Sequence, residues 1–140
     1  MTLMENRFAD AGALLEKGLP FALASDFNPN CPTKNLQFVL TLSCYQMKIP
    51  VIEALRALTL IAAKALNRDH ELGSLEPGKR ADLVVFNIPD YRFLLQHLGV
   101  NLVSKVIKNG SVVASDGRVL EKKRRIEERR GFDVFSRKPS

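Results

Sequence analysis

Phe21-Ala-Leu-Ala24 is an unbroken apolar run of strand length, and two residues later it stops at Asp26, within FALASDFNP. Strands that face water on one side alternate apolar and polar residues, whereas strands covered on both faces do not. The run therefore predicts a strand of a parallel sheet, covered on both faces by other elements. Just upstream, Ala11, Leu14 and Leu15 recur near helical spacing, and Gly18 is a natural stop, which predicts a helix over Phe8 to Leu19. A helix, a short glycine loop and an apolar strand make the rhythm of an α/β unit.

The rest of the chain divides by character. Asp26 to Pro32 carries two prolines and two asparagines and reads as a loop. Thr33 is the expected N-cap of a helix running to about Met47. Pro50 suits the first turn of a further helix, Val51 to Asn67, whose only charges are Glu53, Arg56 and Lys64. A helix so nearly apolar is expected to be largely buried. Beyond it, Pro77-Gly78 forms a turn and Asp82 to Phe86 a strand. A helical turn is expected over Tyr91 to His97. Ser104 to Ala114 has the form of a β-hairpin around Asn109-Gly110, the favoured pair where both turn residues need positive φ. The expected units are 1–67, 68–117 and a basic tail, 118–140. Phe38, Phe86 and Phe93 show no stacking stripe and are read as core residues.

Charge and cysteine content narrow the function classes. The net charge of +6 is concentrated at one end: from Arg118 to Ser140 there are nine Lys+Arg against four Asp+Glu, leaving twelve against eleven elsewhere. A nucleic-acid-binding body is therefore not expected, and EKKRRIEERR reads first as a solvated, mixed-sign stretch. Cys31 and Cys44 have neither a disulfide framework nor a zinc spacing, which fits a reducing cytoplasm. The longest apolar segment, Val51 to Leu66, is interrupted by three charges and is not expected to span a membrane.

On the residues alone, Asp26 has two readings. An aspartate after an apolar strand, followed by Phe-Asn-Pro, is ordinarily a turn residue that closes through its own side chain. It also stands where an α/β barrel carries its chemistry, at the C-terminal end of a strand.

GSLEPGKRADLVVFN, followed some twenty residues on by KVIKNGSVV, resembles the C-terminal end of the amidohydrolase superfamily. There a metal-binding β/α barrel is joined to a small β domain built from both chain ends. ALASDFNPNCPTKNLQ and PDYRFLLQHLGVNLVSKVIKNG are similar, more narrowly, to the imidazolonepropionase family, hydrolases of histidine breakdown. The resemblance covers roughly Ala11 to Val113. It implies an α/β fold: the last β/α unit of a metal-dependent hydrolase barrel with its C-terminal helices, followed by a small β region of the composite domain. It implies that Asp26 is both a metal ligand and a catalytic group, and that Asn28 binds substrate. Asn30 and Cys31 stand where the family has glycine and then serine or threonine, positions that also border substrate. Asparagine tolerates the left-handed backbone that the glycine would supply. Cysteine is a poorer donor than serine.

The implied site is incomplete within these residues. A catalytic metal, here zinc or iron, needs about three protein ligands and an open position. The superfamily's His-x-His is absent, and the two histidines, His70 and His97, read as an exposed loop residue and a locally packed one. A whole barrel takes about 250 residues. The expectation is therefore the C-terminal part of a hydrolase that opens the cyclic amide of imidazolone propionate to N-formimidoyl-glutamate, inactive by itself. Its partners are the small-molecule substrate, the missing barrel portion in the same or a second chain, and further copies of itself. The alternatives are a non-catalytic assembly or binding module, and a hydrolase piece for another cyclic amide.

Overall fold

The structure, a computed structural model, describes residues 8–120. Four α-helices come first, followed by a four-stranded antiparallel sheet. The expected helix near the start forms as α1 (Ala11–Glu16), capped by Asp10, whose carboxylate accepts from Ala13 N at 3.0 Å. Gly18 at φ 64° closes it: Leu19 N donates to Leu14 O and Gly18 N to Leu15 O, the paired bonds of a Schellman motif.

Phe21 to Phe27 departs from expectation. It joins no sheet among the described residues, and its backbone is anchored instead to a helix by Leu23 N donating to Ala57 O at 3.1 Å. Burial along it alternates: Phe21, Leu23 and Ser25 turn inward while Ala22 and Ala24 are exposed. That is the period of an extended chain covered on one side. The second covered face, which the apolar run predicted, has no partner layer among the described residues.

Helix α2 (Leu36–Gln46) starts two residues later than Thr33 implies. Asn35 is its N-cap, accepting from Phe38 N at 3.1 Å, while Thr33 Oγ1 accepts from Asn35 N in the turn before it. The single helix expected from Val51 is two, α3 (Val51–Leu58) and α4 (Leu60–Ala65), with Pro50 at the N-cap of α3. The break is at Thr59, with φ −121° and ψ −83°; its hydroxyl bonds back to Leu55 O at 2.7 Å, the competition that bends helices at threonine. Nor is this pair largely buried. Ala54, Ala57 and Ala63 face inward, but Ile52 and Leu60 are exposed, as is Leu66 beyond α4 at 71 %. Asn67, in the left-handed region at φ 54°, ends the helical stretch.

Strand β1 (Leu83–Phe86) pairs with β2 (Val103–Lys108), which pairs with β3 (Ser111–Ser115), giving the order β1-β2-β3-β4 with β4 at Arg118–Val119. Asn109 (φ 49°) and Gly110 (φ 75°) make the expected two-residue turn between Lys108 and Ser111. Asp116 and Gly117 repeat it before β4, a strand that the reading of 118–140 as a tail overlooked. Residues 121–140 of that expected tail lie outside the described residues. Tyr91–Leu95 forms a 3₁₀ turn, capped by Asp90.

The buried core joins the helices to this turn: Leu40, Ile49, Ala54 and Ala11 surround Leu94, with Phe86, Ile88 and Leu102 packed against them. Gln37 reinforces the connection, donating to Asn101 Oδ1 at 3.0 Å and accepting from Leu102 N at 3.1 Å. Of the three phenylalanines expected in the core, Phe86 packs against it and Phe93 is half-buried. Phe38 is 38 % exposed and lines a side cavity instead.

Candidate functional site

The loop after the extended segment gathers all four residues singled out from the sequence. Asn28 and Cys31 face each other across a four-residue turn: Cys31 N donates to Asn28 O at 3.1 Å, and Asn28 N to Cys31 O at 3.4 Å. Pro29 and Asn30 occupy its corners, and proline's fixed φ suits the first. Asn28 Oδ1 accepts from Asn30 N at 3.0 Å and Cys31 N at 3.1 Å, while its Nδ2 donates to Asp26 O at 2.6 Å.

The left-handed residue of this loop is Asp26, at φ 49°, and not Asn30. Asn30 stays in the ordinary region, so the glycine-like conformation expected there is absent. The turn closes without it because Asn28 receives both following N–H groups through its side chain. Asp26 and Asn30 are exposed; Asn28 and Cys31 are half-buried.

Cys31 borders a cavity of about 90 Å³ between the extended segment and α2, lined mostly by apolar groups such as Leu23, Val39, Leu42 and Met47. A larger cavity of about 500 Å³ lies at the other end of the segment, among Leu15, Phe21, Pro50, Arg56 and Ile61. Asp26 lines neither of them. One contact in the loop went unread in the sequence: the Lys34 ammonium lies 5.1 Å above the Phe27 ring. Their seven-residue separation carries no periodic signal, so only the loop's course brings them together.

Both histidines are exposed and far from forming a cluster. His97 stacks on Phe93 at 6.4 Å between ring centroids, with Nδ1 3.3 Å from Phe93 O, as local packing predicts. Among the described residues no group of three or more His, Cys, Asp or Glu side chains is placed to hold a metal ion. The donor set of these residues therefore does not by itself fit a catalytic metal. Nor does any helix among them have the length and apolarity to cross a membrane.

The motif after α4 has a structural task. Asp82 accepts from Asn109 N at 2.7 Å and from the Lys108 ammonium, and Gly110 N donates to Ala81 O at 2.9 Å, so the hairpin tip is clamped to the start of β1. The Lys108 ammonium, then the Asn109 N–H, holds the Asp82 carboxyl below the usual carboxylate range. Arg80 adds an ion pair at 3.2 Å.

A family model described as the amidohydrolase family matches residues 4–114, the loop and the clamp together. The chain belongs to the amidohydrolase family. Among individual proteins it is similar to the imidazolonepropionase of Geobacillus kaustophilus, 49 % identical over 112 residues, covering 79 % of this chain and 26 % of that protein. It is similar also to that of Alkaliphilus metalliredigens, 44 % identical over 119 residues, covering 84 % of this chain and 28 % of the relative. A solved amidohydrolase from Thermotoga maritima superposes with a TM-score of 0.59 at 28 % identity, over 74 % of this chain and 25 % of its own. The chain thus corresponds to part of an imidazolonepropionase-like amidohydrolase and spans little more than a quarter of those relatives.

Proposed function

We propose that this amidohydrolase chain supplies Asp26 to an active site that hydrolyses the cyclic amide of imidazolone propionate, opening its ring to N-formimidoyl-glutamate. The observation that carries this reading is the identity of 49 % with an imidazolonepropionase. It is supported by the gathering of Asp26, Asn28, Asn30 and Cys31 in one loop at the end of an apolar extended segment.

In this reading residues 1–67 are the last β/α unit of a barrel with its helices, and the region from residue 68 through β4 is a segment of the composite β domain, followed in sequence by a charge-rich stretch. The segment over Phe21 to Ser25, which joins no sheet among the described residues, and the outer edge of β1 are where other strands of the enzyme add. Exposed apolar side chains such as Val84, Ile52 and Leu60 are covered by the same additions, or by self-association when those are lacking. The location is the cytoplasm.

Asp26 is one ligand of a zinc or iron site whose remaining ligands lie in barrel segments other than these residues. In this reading its carboxylate also takes the proton of the attacking water. Asn28 retains one N–H, and Asn30 and Cys31 their side chains, for contacts to substrate. These residues alone hold no metal and turn nothing over.

The test supplies the remaining barrel as a second polypeptide or by fusion, and follows imidazolone propionate by its ultraviolet absorbance. Turnover in the completed enzyme, absent from the isolated chain and lost in Asp26→Ala, supports the reading. Undiminished turnover in Asp26→Ala overturns it. A completed enzyme that opens a different cyclic amide instead corrects the substrate.

A further inference from the structure

We infer that Asn28 is a positioning residue, which sets the backbone of Asp26 and through it the direction of the Asp26 carboxylate. This rests on the proposed role of Asp26 and adds to it a residue that acts through another. An asparagine side chain has room for two hydrogen bonds at its oxygen and two at its nitrogen. In Asn28 both oxygen positions are filled by its own loop, from Asn30 N at 3.0 Å and Cys31 N at 3.1 Å. One nitrogen position is filled as well, by the bond to Asp26 O at 2.6 Å. The orientation of the amide follows from its partners: turned over, its NH₂ would face two N–H donors and its oxygen a carbonyl.

Each of these bonds has a separate task. The two to Oδ1 close the turn that the backbone bridge between Asn28 and Cys31 begins. The bond from Nδ2 reaches backwards and grips the peptide of Asp26, the residue of this loop with a left-handed backbone, at φ 49°. A non-glycine residue there costs roughly 1–2 kcal/mol, and such a conformation persists only where its surroundings over-determine it. Gripping the Asp26 carbonyl fixes ψ at that residue, and with it the direction in which Cα–Cβ projects from the loop. The half-buried amide thus transmits the rigidity of the turn to an exposed carboxylate.

Two substitutions separate the tasks. Asn28→Asp retains an oxygen for the Asn30 and Cys31 amides but lacks the donor to Asp26; Asn28→Ala lacks all three bonds. In the 140-residue chain, nuclear magnetic resonance reads amide exchange at Asn30 and Cys31 and the one-bond Cα–Hα coupling of Asp26, which is sensitive to positive φ. The expected result is slow exchange at Asn30 kept in Asn28→Asp and lost in Asn28→Ala, with the Asp26 coupling shifted in both. The change at Cys31 is smaller, because its N–H also donates to the Asn28 carbonyl. In the completed enzyme, kcat is expected to fall roughly 100-fold in Asn28→Asp, the scale of a displacement of about 1 Å at a reacting group, in addition to any rise in KM from the lost substrate contact.

An unshifted Asp26 coupling in both variants overturns the inference. So does a raised KM at unchanged kcat, which makes Asn28 a substrate contact only. Turnover that survives Asp26→Ala is a different failure: it removes the functional reading, while the coupling still reports whether Asn28 holds the loop.

Discussion

Gly73, the first residue of the GSLEPGK turn, sits where two penalties on a side chain coincide, and substitution can separate them. Its φ is +92°, and a Cβ built there would lie 2.7 Å from Ala63 Cβ, 3.1 Å from Thr59 O and 3.3 Å from Leu60 Cα. Carbon atoms pack best at roughly 3.5–4.0 Å. None of these neighbours is the far end of a flexible side chain, so relief requires α4 or the turn itself to move. Gly78 is the matched control, with φ +89° and nothing within 4 Å of the same added atom. Gly78→Ala is expected to cost about 1–2 kcal/mol, the penalty of a left-handed backbone. Gly73→Ala adds the overpacking, about 1–3 kcal/mol more. Against a total stability of about 5–15 kcal/mol for a typical domain, the second variant should unfold at clearly lower urea and the first only slightly lower. Urea titration of both, at equal slope, gives the difference directly. Replacing Ala63 by glycine removes the nearest clashing atom and should restore part of the loss in Gly73→Ala, although alone it costs about 0.5–1 kcal/mol as a helical glycine. Equal midpoints for Gly73→Ala and Gly78→Ala would refute the packing argument, and so would the absence of coupling between positions 63 and 73.

Other outcomes follow from the core and the charged clamp. Leu40, 2 % exposed between the helices and Leu94, should cost about 2–5 kcal/mol when cut to alanine. Leu40→Met, which keeps the volume, should cost under about 1.5 kcal/mol; equal losses in thermal or urea unfolding would show that the site does not pack as described. The Asp82 carboxyl is lowered by Lys108 and Asn109, that of Asp90 by Arg92, and that of Glu71 by Arg68. Groups lowered in the folded state stabilise it fully above their unfolded values, 3.8 for aspartate and 4.5 for glutamate, and lose that contribution as pH falls further. Unfolding midpoints should therefore hold from neutral pH to about those values and then drop. Asp82→Asn should lower the neutral midpoint and flatten the acid limb, and added salt should do the same to a smaller extent, because the cationic partners Lys108, Arg92 and Arg68 are exposed. An acid limb of wild-type steepness in Asp82→Asn would remove Asp82 from the account.

Local chemistry made much of this fold legible. Asn109-Gly110 announced its hairpin because few residue pairs accept two positive φ angles in succession, and Gly18 ended α1 for the same reason. Asp116-Gly117 carries the same signal, but it directly precedes a charge-rich stretch whose composition resembles a tail. The candidate loop was legible as a loop, and Asp26, Asn28, Asn30 and Cys31 do meet there. Its internal wiring was not: nothing in FNPNC says that Asn28 is the hub or that the left-handed residue is Asp26 and not Asn30. Three hydrogen bonds from one amide compete with several other closures of similar energy. The break at Thr59 was equally hidden, since the sequence does not say whether a threonine hydroxyl bonds back to the carbonyl four residues before it.

By itself, the sequence determined α1, α2 and the hairpin at Asn109-Gly110 to within a few residues, and it held enough of a pattern to name the family. Those features depend on backbone preferences and on side chains within a few residues of one another. Tertiary structure alone decided which faces are covered. Phe21-Ala-Leu-Ala24 reads as a strand with two buried faces, yet it packs on one side against α3 and leaves Ala22 and Ala24 exposed. Burial is a property of the neighbours as much as of the residue, and apolar sequence states only that a face gains by being covered.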